Sequence, residues 1–416
     1  MSIEWKTRAP GIKTTEDITI ESILTARGLS KDLISPKYDN NPYRDFQNIR
    51  MAAEIINNAV KQKKSICVFT IPTSSDIIAA AMMIRYLNKI STREVKSCIG
   101  ISLYEKSEIL KKFDVVIALP FLMENFEYEE SVFRYLRANN TSVILLATKN
   151  AGKKLAENEL VTIVSTNDND NNSSAELAYN LIGVLNDTQN RKDSYQYEDM
   201  YAASISCNSS ENMALEKTRS ICYKGFSRIA NPAIRRMIKK RPFTSSNVRI
   251  RIKSIIEILI AYKNIEKAIE LFSTNDDVRI RQILRIAKEY NSEQNRFKGE
   301  TTHNQHSTLS ITADFETKPE YITRENAETL SYFSTVSSYK FPPITCVVKG
   351  VEVETVEYIG KVTKITNGKF KLILRGIHLE ITPGAIIDAI GEITVGYFKK
   401  SRYPQVIAKD WRFSND

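Results

Sequence analysis

Histidine, a common metal ligand and general base, is scarce in this chain. Histidine occurs only at His303, His306 and His378. The i,i+3 spacing of His303 and His306 could place both on one side of a helix, but no cysteine lies nearby, so two solvated histidines are favoured over a metal pair. Cys207 has no histidine close in sequence that would activate a thiolate. NDNDNN (167–172) is rich in oxygen ligands but lacks the glycine and the closing glutamate of a calcium loop, which favours a solvated turn.

Positive charge is concentrated in one segment. Residues 217–253 contain twelve Lys or Arg and no Asp or Glu, so the segment carries +12 and the rest of the chain nets −2. It could be a solvated helical face, but it lacks the acidic partners of the i,i+4 ion pairs that such faces form. Contact with nucleic-acid phosphates is therefore favoured. The candidate residues are Arg228, Arg235, Arg236, Lys239, Lys240, Arg241, Arg249, Arg251 and Lys253.

The end of the chain combines short strands with aromatic and basic residues. Residues 341–416 contain about five short strand-like segments broken by glycines, which is typical of a small barrel such as an OB-fold. Such a barrel either serves only as a structural domain or binds single strands through stacked aromatic rings and a basic groove. Trp411 and Phe413 fit a core role as well as a contact role. The candidate nucleic-acid-binding residues here are Tyr397, Lys399, Lys400, Arg402 and Tyr403.

The first half of the chain alternates between strands and helices. Short apolar strands are predicted at 65–71, 96–102, 114–120, 142–148 and 160–165, with helices between them. This alternation predicts an α/β fold with a doubly wound, mainly parallel sheet. The segment TIPTSSD (70–76) lies where ligand loops occur in such folds. It could accept an anion, although it lacks a glycine-rich phosphate cradle.

Two later changes of pattern divide the chain into four regions. Long amphipathic helices are predicted at 252–272 and 278–297, and the residues from 298 to 340 are polar with little periodicity. The predicted regions are an α/β domain at 1–215, a basic helical connector at 216–297, a polar linker at 298–340 and an OB-fold-like domain at 341–416.

Composition indicates a cytoplasmic protein. The sequence contains no 18-residue apolar run, so no membrane span is expected, and its start lacks the pattern of a secretory signal. The five cysteines are scattered, with no Cys-x-x-Cys pair, which favours a reducing compartment.

Several motifs occur in an order that resembles RecJ-type proteins of the DHH phosphoesterase family. They are WKxR (Trp5, Lys6, Arg8), LxxRGL (24–29), NPY (41–43), IxxAVxxxKxIxVF (56–69) and the stretch 211–231. The resemblance extends through the helices to about residue 296 and resumes at 341. It implies a DHH-like sheet, connecting helices and an OB-fold. RecJ-type enzymes are single-strand-specific 5′ to 3′ exonucleases, so it also implies a link to single-stranded DNA.

The ligand motifs of that family are not preserved in this sequence. DHH enzymes hold two manganese ions with Asp-x-Asp-x-Asp-Gly, a second Asp, Asp-His-His and a last Asp at successive elements. Two-metal hydrolysis needs such groups to hold the ions about 3.5–4 Å apart. Here Lys149 would repel a cation, and Asp76 alone does not form a binuclear site. The matching positions are Ile71, Thr73, Ser75, Asp76, Pro120, Ala147, Thr148, Lys149 and Cys207.

A second departure is the absence of the Gly-Gly-His domain with which RecJ enzymes grip DNA. We therefore expect a catalytically inactive RecJ-like protein with no metal cofactor, which binds single-stranded DNA or docks on replication or repair proteins. One alternative is a residual exonuclease, which would need manganese or magnesium. Another is a protein-interaction module that regulates a nuclease or a replisome.

Overall fold

The computed structural model describes residues 4–8, 20–28, 46–122, 125–149, 159–166, 173–191, 193–208, 216–239, 241, 243–297, 310–337, 343–398 and 401–414. The chain divides into two compact units. The barrel unit comprises Met1–Lys37, Asn212–Glu216 and His303–Asp416, and the sheet unit comprises Tyr38–Glu211 and Lys217–Thr302. Within the described ranges, no helix is both long enough and apolar enough to cross a membrane.

The elements follow one another in this order. The strands are β1 (Glu4–Thr7), β2 (Phe46–Gln47), β3 (Ile66–Thr70), β4 (Lys96–Ile99), β5 (Val115–Phe121), β6 (Ser142–Ala147), β7 (Thr162–Thr166), β8 (Ser310–Ala313), β9 (Phe315–Thr317), β10 (Thr345–Glu352), β11 (Thr355–Tyr358), β12 (Val362–Asn367), β13 (Phe370–Arg375), β14 (Ile386–Phe398) and β15 (Ser401–Phe413). The helices are α1 (Ile20–Ala26), α2 (Ile49–Lys61), α3 (Ser74–Ile90), α4 (Leu103–Leu110), α5 (Phe126–Ala138), α6 (Ser174–Thr188), α7 (Glu198–Cys207), α8 (Glu216–Ser227), α9 (Pro232–Ile238), α10 (Ser254–Ala261), α11 (Ile265–Ser273), α12 (Asp277–Phe297) and α13 (Arg324–Thr335).

The sheet unit is built on six strands in the order β2-β7-β6-β5-β3-β4. All neighbouring pairs are parallel except β2–β7. Every residue of β3 and of β5 is buried, as expected for central strands of a parallel sheet that is covered on both faces. The predicted α/β class with a mainly parallel sheet is confirmed.

Helices cover both faces of this sheet. Phe69, Val116 and Leu145 belong to an apolar cluster with side chains of α4 and α5 on one face. The strand residues between them are also buried; α3 contacts β3 and β5, and α6 contacts β5 and β6. Because alternate side chains of a strand point to opposite faces, α3 and α6 cover the second face. The carboxyl ends of β3, β5 and β6 therefore meet at one edge of the sheet.

The helical connector is more broken than the sequence indicated. The predicted helix at 252–272 is wrong as one element, because α10 ends at Ala261 and α11 begins at Ile265. Lys263 has φ 55°, and the Asn264 backbone N–H donates to the Leu259 carbonyl at 2.8 Å, which ends the first helix. A π-helical turn, Val248–Lys253, precedes α10. The helix predicted at 278–297 agrees with α12.

The C-terminal region forms the separate all-β sheet that the sequence predicted, consistent with an OB-like barrel. Its seven strands have the order β11-β12-β13-β15-β14-β10-β9. The long β14–β15 hairpin is irregular near Gly391, where an added Cβ would lie 2.4 Å from the Ile407 carbonyl oxygen. Only glycine allows the two backbones to approach so closely there.

The predicted linker at 298–340 differs from the structure over residues 310–337. These residues form β8, β9 and α13; β1 pairs with β8 and β9 with β10, both in parallel. The segment is polar because its short strands bury few residues: Ala313 in β8, and Phe315 and Thr317 in β9. The domain predicted at 1–215 also differs from the structure. Residues 1–37 belong to the barrel unit, and the sheet unit continues beyond 215 with Lys217–Thr302.

A buried ion pair ties the N-terminal residues to this segment. The guanidinium of Arg27 donates to both carboxylate oxygens of Asp314, at 2.8 and 2.7 Å, and to the Pro343 carbonyl at 3.0 Å. The two side chains are 6% and 3% exposed. Arg27 belongs to the LxxRGL motif, so that motif has a structural role within the barrel unit.

Candidate functional site

The loop between β3 and α3 and the first turn of α3 hold four of the positions that match family ligands, Ile71, Thr73, Ser75 and Asp76. Thr73 precedes α3, and its hydroxyl accepts from the Asp76 backbone N–H at 3.2 Å. This is an ordinary N-cap, which explains why a Thr-Ser-Ser-Asp sequence begins a helix here. Thr73 Oγ1 also lies 3.2 Å from Ser75 Oγ, and the Ser204 hydroxyl donates to the Ser75 carbonyl at 2.7 Å.

Asp76 is held inside the protein as a helix-start residue. The Ser174 hydroxyl donates to one of its carboxylate oxygens and the Thr73 hydroxyl donates to the other. Burial raises the pKa of Asp76, and the two hydroxyl hydrogen bonds oppose that rise. Both oxygens are therefore already occupied by donors from the protein.

These residues line an open cavity of about 490 Å³, which we call the α3 pocket. Its wall consists of residues 72–76, residues 207–208 at the end of α7, and Lys253, Glu257, Ile260 and Ala261. Of the nine positions that match family ligands, Thr73, Ser75, Asp76 and Cys207 line the pocket. The other five, Ile71, Pro120, Ala147, Thr148 and Lys149, are not part of this wall.

Cys207 is unsuited to be a nucleophile or a metal ligand. Burial raises the pKa of its thiol to about 12, with a smaller upward effect from Glu257 and downward effects from Lys253 and Arg249. Thiolate is the reactive and metal-binding form of cysteine, and it is scarce at neutral pH when the pKa is so high.

The remaining strand ends carry no ligand groups. Pro120 and Ala147 are buried within β5 and β6. The Thr148 backbone N–H donates to the Phe121 carbonyl at 3.1 Å, and Lys149 is exposed. Among the residues that the structure describes, no three His, Cys, Asp or Glu side chains are grouped to hold a metal ion. The side chains at these positions do not fit the two manganese ions that the family implies.

The basic segment is split between the interior, ion pairs and solvent. Arg219 is fully buried, and burial lowers the pKa of Arg249. Arg236 pairs with Asp277 at 2.5 Å, and Lys253 lies 3.7 Å from Glu257. The acidic partners come from outside residues 217–253, so the lack of acids within the segment did not indicate a lack of ion pairs.

Helix α9 presents the exposed part of the basic segment. Asn231 caps it, accepting from the Ala233 and Ile234 backbone N–H groups at 2.9 and 3.2 Å. The buried side of the helix consists of Ala233, Ile234, Met237 and Ile238. Arg235, Lys239 and Arg241 are exposed and Arg251 is half-buried, while Lys240 lies outside the described residues. The guanidinium of Arg228, also exposed, lies 4.3 Å from the Tyr195 ring centre.

The aromatic and basic candidates of the barrel unit are only partly described. The side chain of Tyr397 and all of Lys399 and Lys400 lie outside the described residues. Arg402 is exposed and approaches Glu328 at 3.8 Å. Tyr403 packs across Gly396 and lies beneath the Lys371 ammonium, 4.1 Å from the ring centre.

Trp411 and Phe413 extend an aromatic row at the other end of β15. The ring centre of Trp411 lies 5.3 Å from the ring centres of both His378 and Phe413. Trp411 is half-buried, and Phe413 is 47% exposed. The sequence did not decide whether these two residues lie in the core of the domain or contact nucleic acid. Their exposure is compatible with contact. His303, His306 and 167–172 lie outside the described residues.

Sequence reasoning missed a buried carboxylate beside the basic segment. Asp199 is fully buried and accepts from the backbone N–H groups of Ala230 and Asn231, at 2.8 and 2.6 Å, and from that of Met200 at 2.8 Å. Burial raises its pKa to about 6, although these hydrogen bonds lower it. It fixes the start of α9, and no local pattern marks it because its partners lie about thirty residues away.

The fold has close counterparts among solved structures, although neither a family model nor a curated protein matches the chain. RecJ from Thermus thermophilus in complex with Mn²⁺ has a TM-score of 0.65 at 14% identity, over 99% of this chain and 80% of that one. The same protein in complex with Mg²⁺ has a TM-score of 0.62 at 11% identity, over 99% of this chain and 79% of that one. An exonuclease RecJ bound to manganese has a TM-score of 0.54 at 17% identity, over 74% of this chain and 82% of that one. The chain therefore has the RecJ-like DHH fold.

Proposed function

We propose that this protein binds single-stranded DNA without cutting it. The main support is that a fold shared with manganese-bound RecJ carries one carboxylate, that of Asp76, at the positions that match family ligands, and otherwise hydroxyl, aliphatic, thiol and ammonium groups. These groups do not supply the negative field that two divalent cations require. The proposal therefore includes no catalytic residue and no metal cofactor. The role is that of a DNA-binding accessory or scaffold in replication, recombination or repair.

The proposed DNA contact is the exposed side of α9 and the turn after it. Arg235, Lys239 and Arg241 are exposed there, and Arg228 lies nearby in sequence with its guanidinium against Tyr195. Lysine and arginine that neutralise phosphates provide most of the affinity for DNA that does not depend on base sequence. Arg236 contributes less because Asp277 already neutralises it.

The test is fluorescence anisotropy with labelled single- and double-stranded oligonucleotides, at several salt concentrations, with manganese and with EDTA. The variant replaces Arg235, Lys239 and Arg241 by Ala. Each phosphate contact to a single strand adds about 0.7 to the slope of log affinity against log salt. Loss of three contacts should lower that slope by about 2. The matched control replaces Lys61, Lys63 and Lys64, which are exposed in the same unit.

Two results would overturn the proposal. Equal affinities and slopes for the α9 variant and the control would place DNA binding elsewhere or remove it. Release of labelled nucleotides in manganese or magnesium, if it survives repurification and is lost in Asp76→Asn, would establish the residual exonuclease instead.

A protein-interaction module is the second candidate, favoured by an exposed apolar patch on the sheet unit. Ile101, Tyr104 and Tyr128 are 77%, 59% and 70% exposed, and the two tyrosine rings lie 6.3 Å apart. Patches of this kind often mark protein contacts. A replication or repair protein that binds the wild type but not Tyr104→Ser/Tyr128→Ser, with oligonucleotide affinity unchanged, would support this candidate.

A further inference from the structure

Strand β11 has an unpaired edge in the barrel unit. It stands at one end of the seven-stranded order and, among the described residues, pairs with β12 alone. The Ile359 backbone N–H donates to the Val362 carbonyl at 2.9 Å, and hydrogen-bonded pairs alternate along an antiparallel ladder. Residues 355, 357 and 359 therefore bond to β12, and the backbone N–H and C=O groups of Val356 and Tyr358 point away from the sheet. A further extended strand is the structure that pairs with such an edge.

The side chains around this edge are exposed and largely apolar. Tyr358 is 45% exposed and Ile359 is 58% exposed. The Tyr358 hydroxyl donates to the His378 carbonyl at 3.4 Å, which brings the loop after β13 beside the end of β11. Ile377 and Leu379, on either side of His378, are 47% and 71% exposed. An unpaired strand edge with an exposed apolar border is typical of a protein contact.

Charge along the edge is ordered from acidic to basic. Glu352 and Glu354 precede β11, Lys361 follows it, and all three are exposed. Within the described ranges of the chain, none of the three has an ion-pair partner. Glu357, inside the strand, is already neutralised by Lys364 at 2.6 Å.

This order of charges makes the edge complementary to itself. When two copies of a strand pair antiparallel, the start of one lies beside the end of the other. The acidic end of each copy then meets the basic end of its partner, whereas a parallel arrangement sets like charges side by side. A second copy of this chain therefore fits the edge in one orientation.

From this arrangement we propose that two copies of the chain form a two-fold dimer by antiparallel pairing of β11 with β11. Use of the same edge by both copies requires a two-fold axis. Four paired residues are too few for a stable interface, so the exposed side chains of Tyr358, Ile359, Ile377 and Leu379 supply the apolar area that flanks the pairing. The proposal goes beyond DNA binding at α9, because it uses residues of the barrel unit alone and needs no nucleic acid.

The first experiment is sedimentation velocity of the full chain, without oligonucleotide, over a series of protein concentrations. We expect a monomer–dimer equilibrium. Val356→Pro removes an N–H that points to the partner and leaves the bonds to β12 in place, as proline on an edge strand does. The dimer dissociation constant should rise about 10- to 100-fold, because two-fold symmetry removes two backbone hydrogen bonds at once. Val356→Thr keeps the N–H and the branched shape, so its dissociation constant should be unchanged.

A charge-reversal series tests the orientation of the two strands. Lys361→Glu and Glu354→Lys should each weaken the dimer, and more so at low salt, because each places like charges at both ends of the pairing. The double variant exchanges the two charges and should restore the wild-type dissociation constant. Lys318→Glu is the matched control, because Lys318 is exposed after β9, at the other end of the strand order, and should leave dimerisation unchanged.

Three results would overturn the proposal. They are a wild-type chain that stays monomeric at every concentration, a dimer that is insensitive to Val356→Pro, and a double charge reversal that fails to restore the dimer. A monomer would leave the edge to an extended segment of a different protein. Tryptophan fluorescence in urea checks that Val356→Pro keeps its fold; if it does not, the charge-reversal series alone decides, because those side chains are exposed.

Discussion

The buried pair of Arg27 and Asp314 gives the sharpest test of how the barrel unit is held together. Arg27→Met removes two hydrogen bonds to Asp314, at 2.8 and 2.7 Å, and one to the Pro343 carbonyl at 3.0 Å. The Asp314 side chain, now 3% exposed, would stay buried. It would still accept a hydrogen bond from the uncharged Thr345 backbone N–H, at 2.9 Å. The half-exposed Arg8 does not replace the buried cation, and a buried carboxylate that loses such a partner is strongly destabilising.

The expected loss follows from that geometry. Breaking a buried ion pair by removing one partner costs about 3–5 kcal/mol. With a urea dependence of about 2 kcal/mol/M, the unfolding midpoint should fall by about 2 M. Tryptophan fluorescence reports this unit selectively, because Trp5 and Trp411 are the two tryptophans of the chain and both belong to the barrel unit.

Arg8→Met is the matched control. Arg8 also approaches Asp314, at 3.4 Å, but its side chain is 45% exposed. An exposed partner contributes up to about 1 kcal/mol, so the midpoint should move by about 0.5 M at most. If the urea midpoint of Arg27→Met falls by no more than that of Arg8→Met, the reasoning that burial makes the Arg27 contact strong is refuted.

Three further predictions concern the sheet unit. The contribution of Asp199 to the free energy of unfolding should fall as pH rises from about 4 to about 6, because its pKa is about 6 when folded and about 3.9 when unfolded, so the folded state binds the extra proton in that window. Asp199→Asn should flatten that slope in urea titrations at successive pH values; an identical slope would contradict the assignment. Gly225→Ala should destabilise the unit by about 1–3 kcal/mol or more, since its Cβ would lie 2.0 Å from the Glu198 carbonyl oxygen, and an unchanged thermal midpoint would exclude so close a packing of α8 on α7. Thr73→Ala should cost about 1 kcal/mol through loss of the α3 cap, measured by urea unfolding; no loss would mean that the cap is dispensable.

Patterns confined to one element predicted their structures well. The apolar runs at 65–71, 114–120 and 142–148 correspond to β3, β5 and β6 within a residue or two, because buried parallel strands are continuously apolar. The motif order also predicted the fold, and the structural likeness to RecJ bears that out.

Features that depend on distant partners could not be predicted from local pattern. β8 and β9 are short and polar, and their strand pairing depends on β1 and β10. Lys253 was assigned to a basic segment, but its place in the α3 pocket depends on how the π-helical turn Val248–Lys253 packs beside α7. The ion pair of Arg236 with Asp277 likewise joins residues 41 positions apart.

The pairing of β1 with β8 also constrains how the protein is synthesised. Glu4 pairs with Ser310, so the first strand leaves the ribosome about 300 residues before its partner. At about 5–20 residues per second, β1 waits roughly 15–60 s for β8, longer than the folding time of most small domains. The sheet unit can form during that interval, whereas completion of the barrel unit must await the synthesis of β15. A nascent chain stalled before residue 310 should therefore protect the sheet unit from protease while β1 remains open to cleavage.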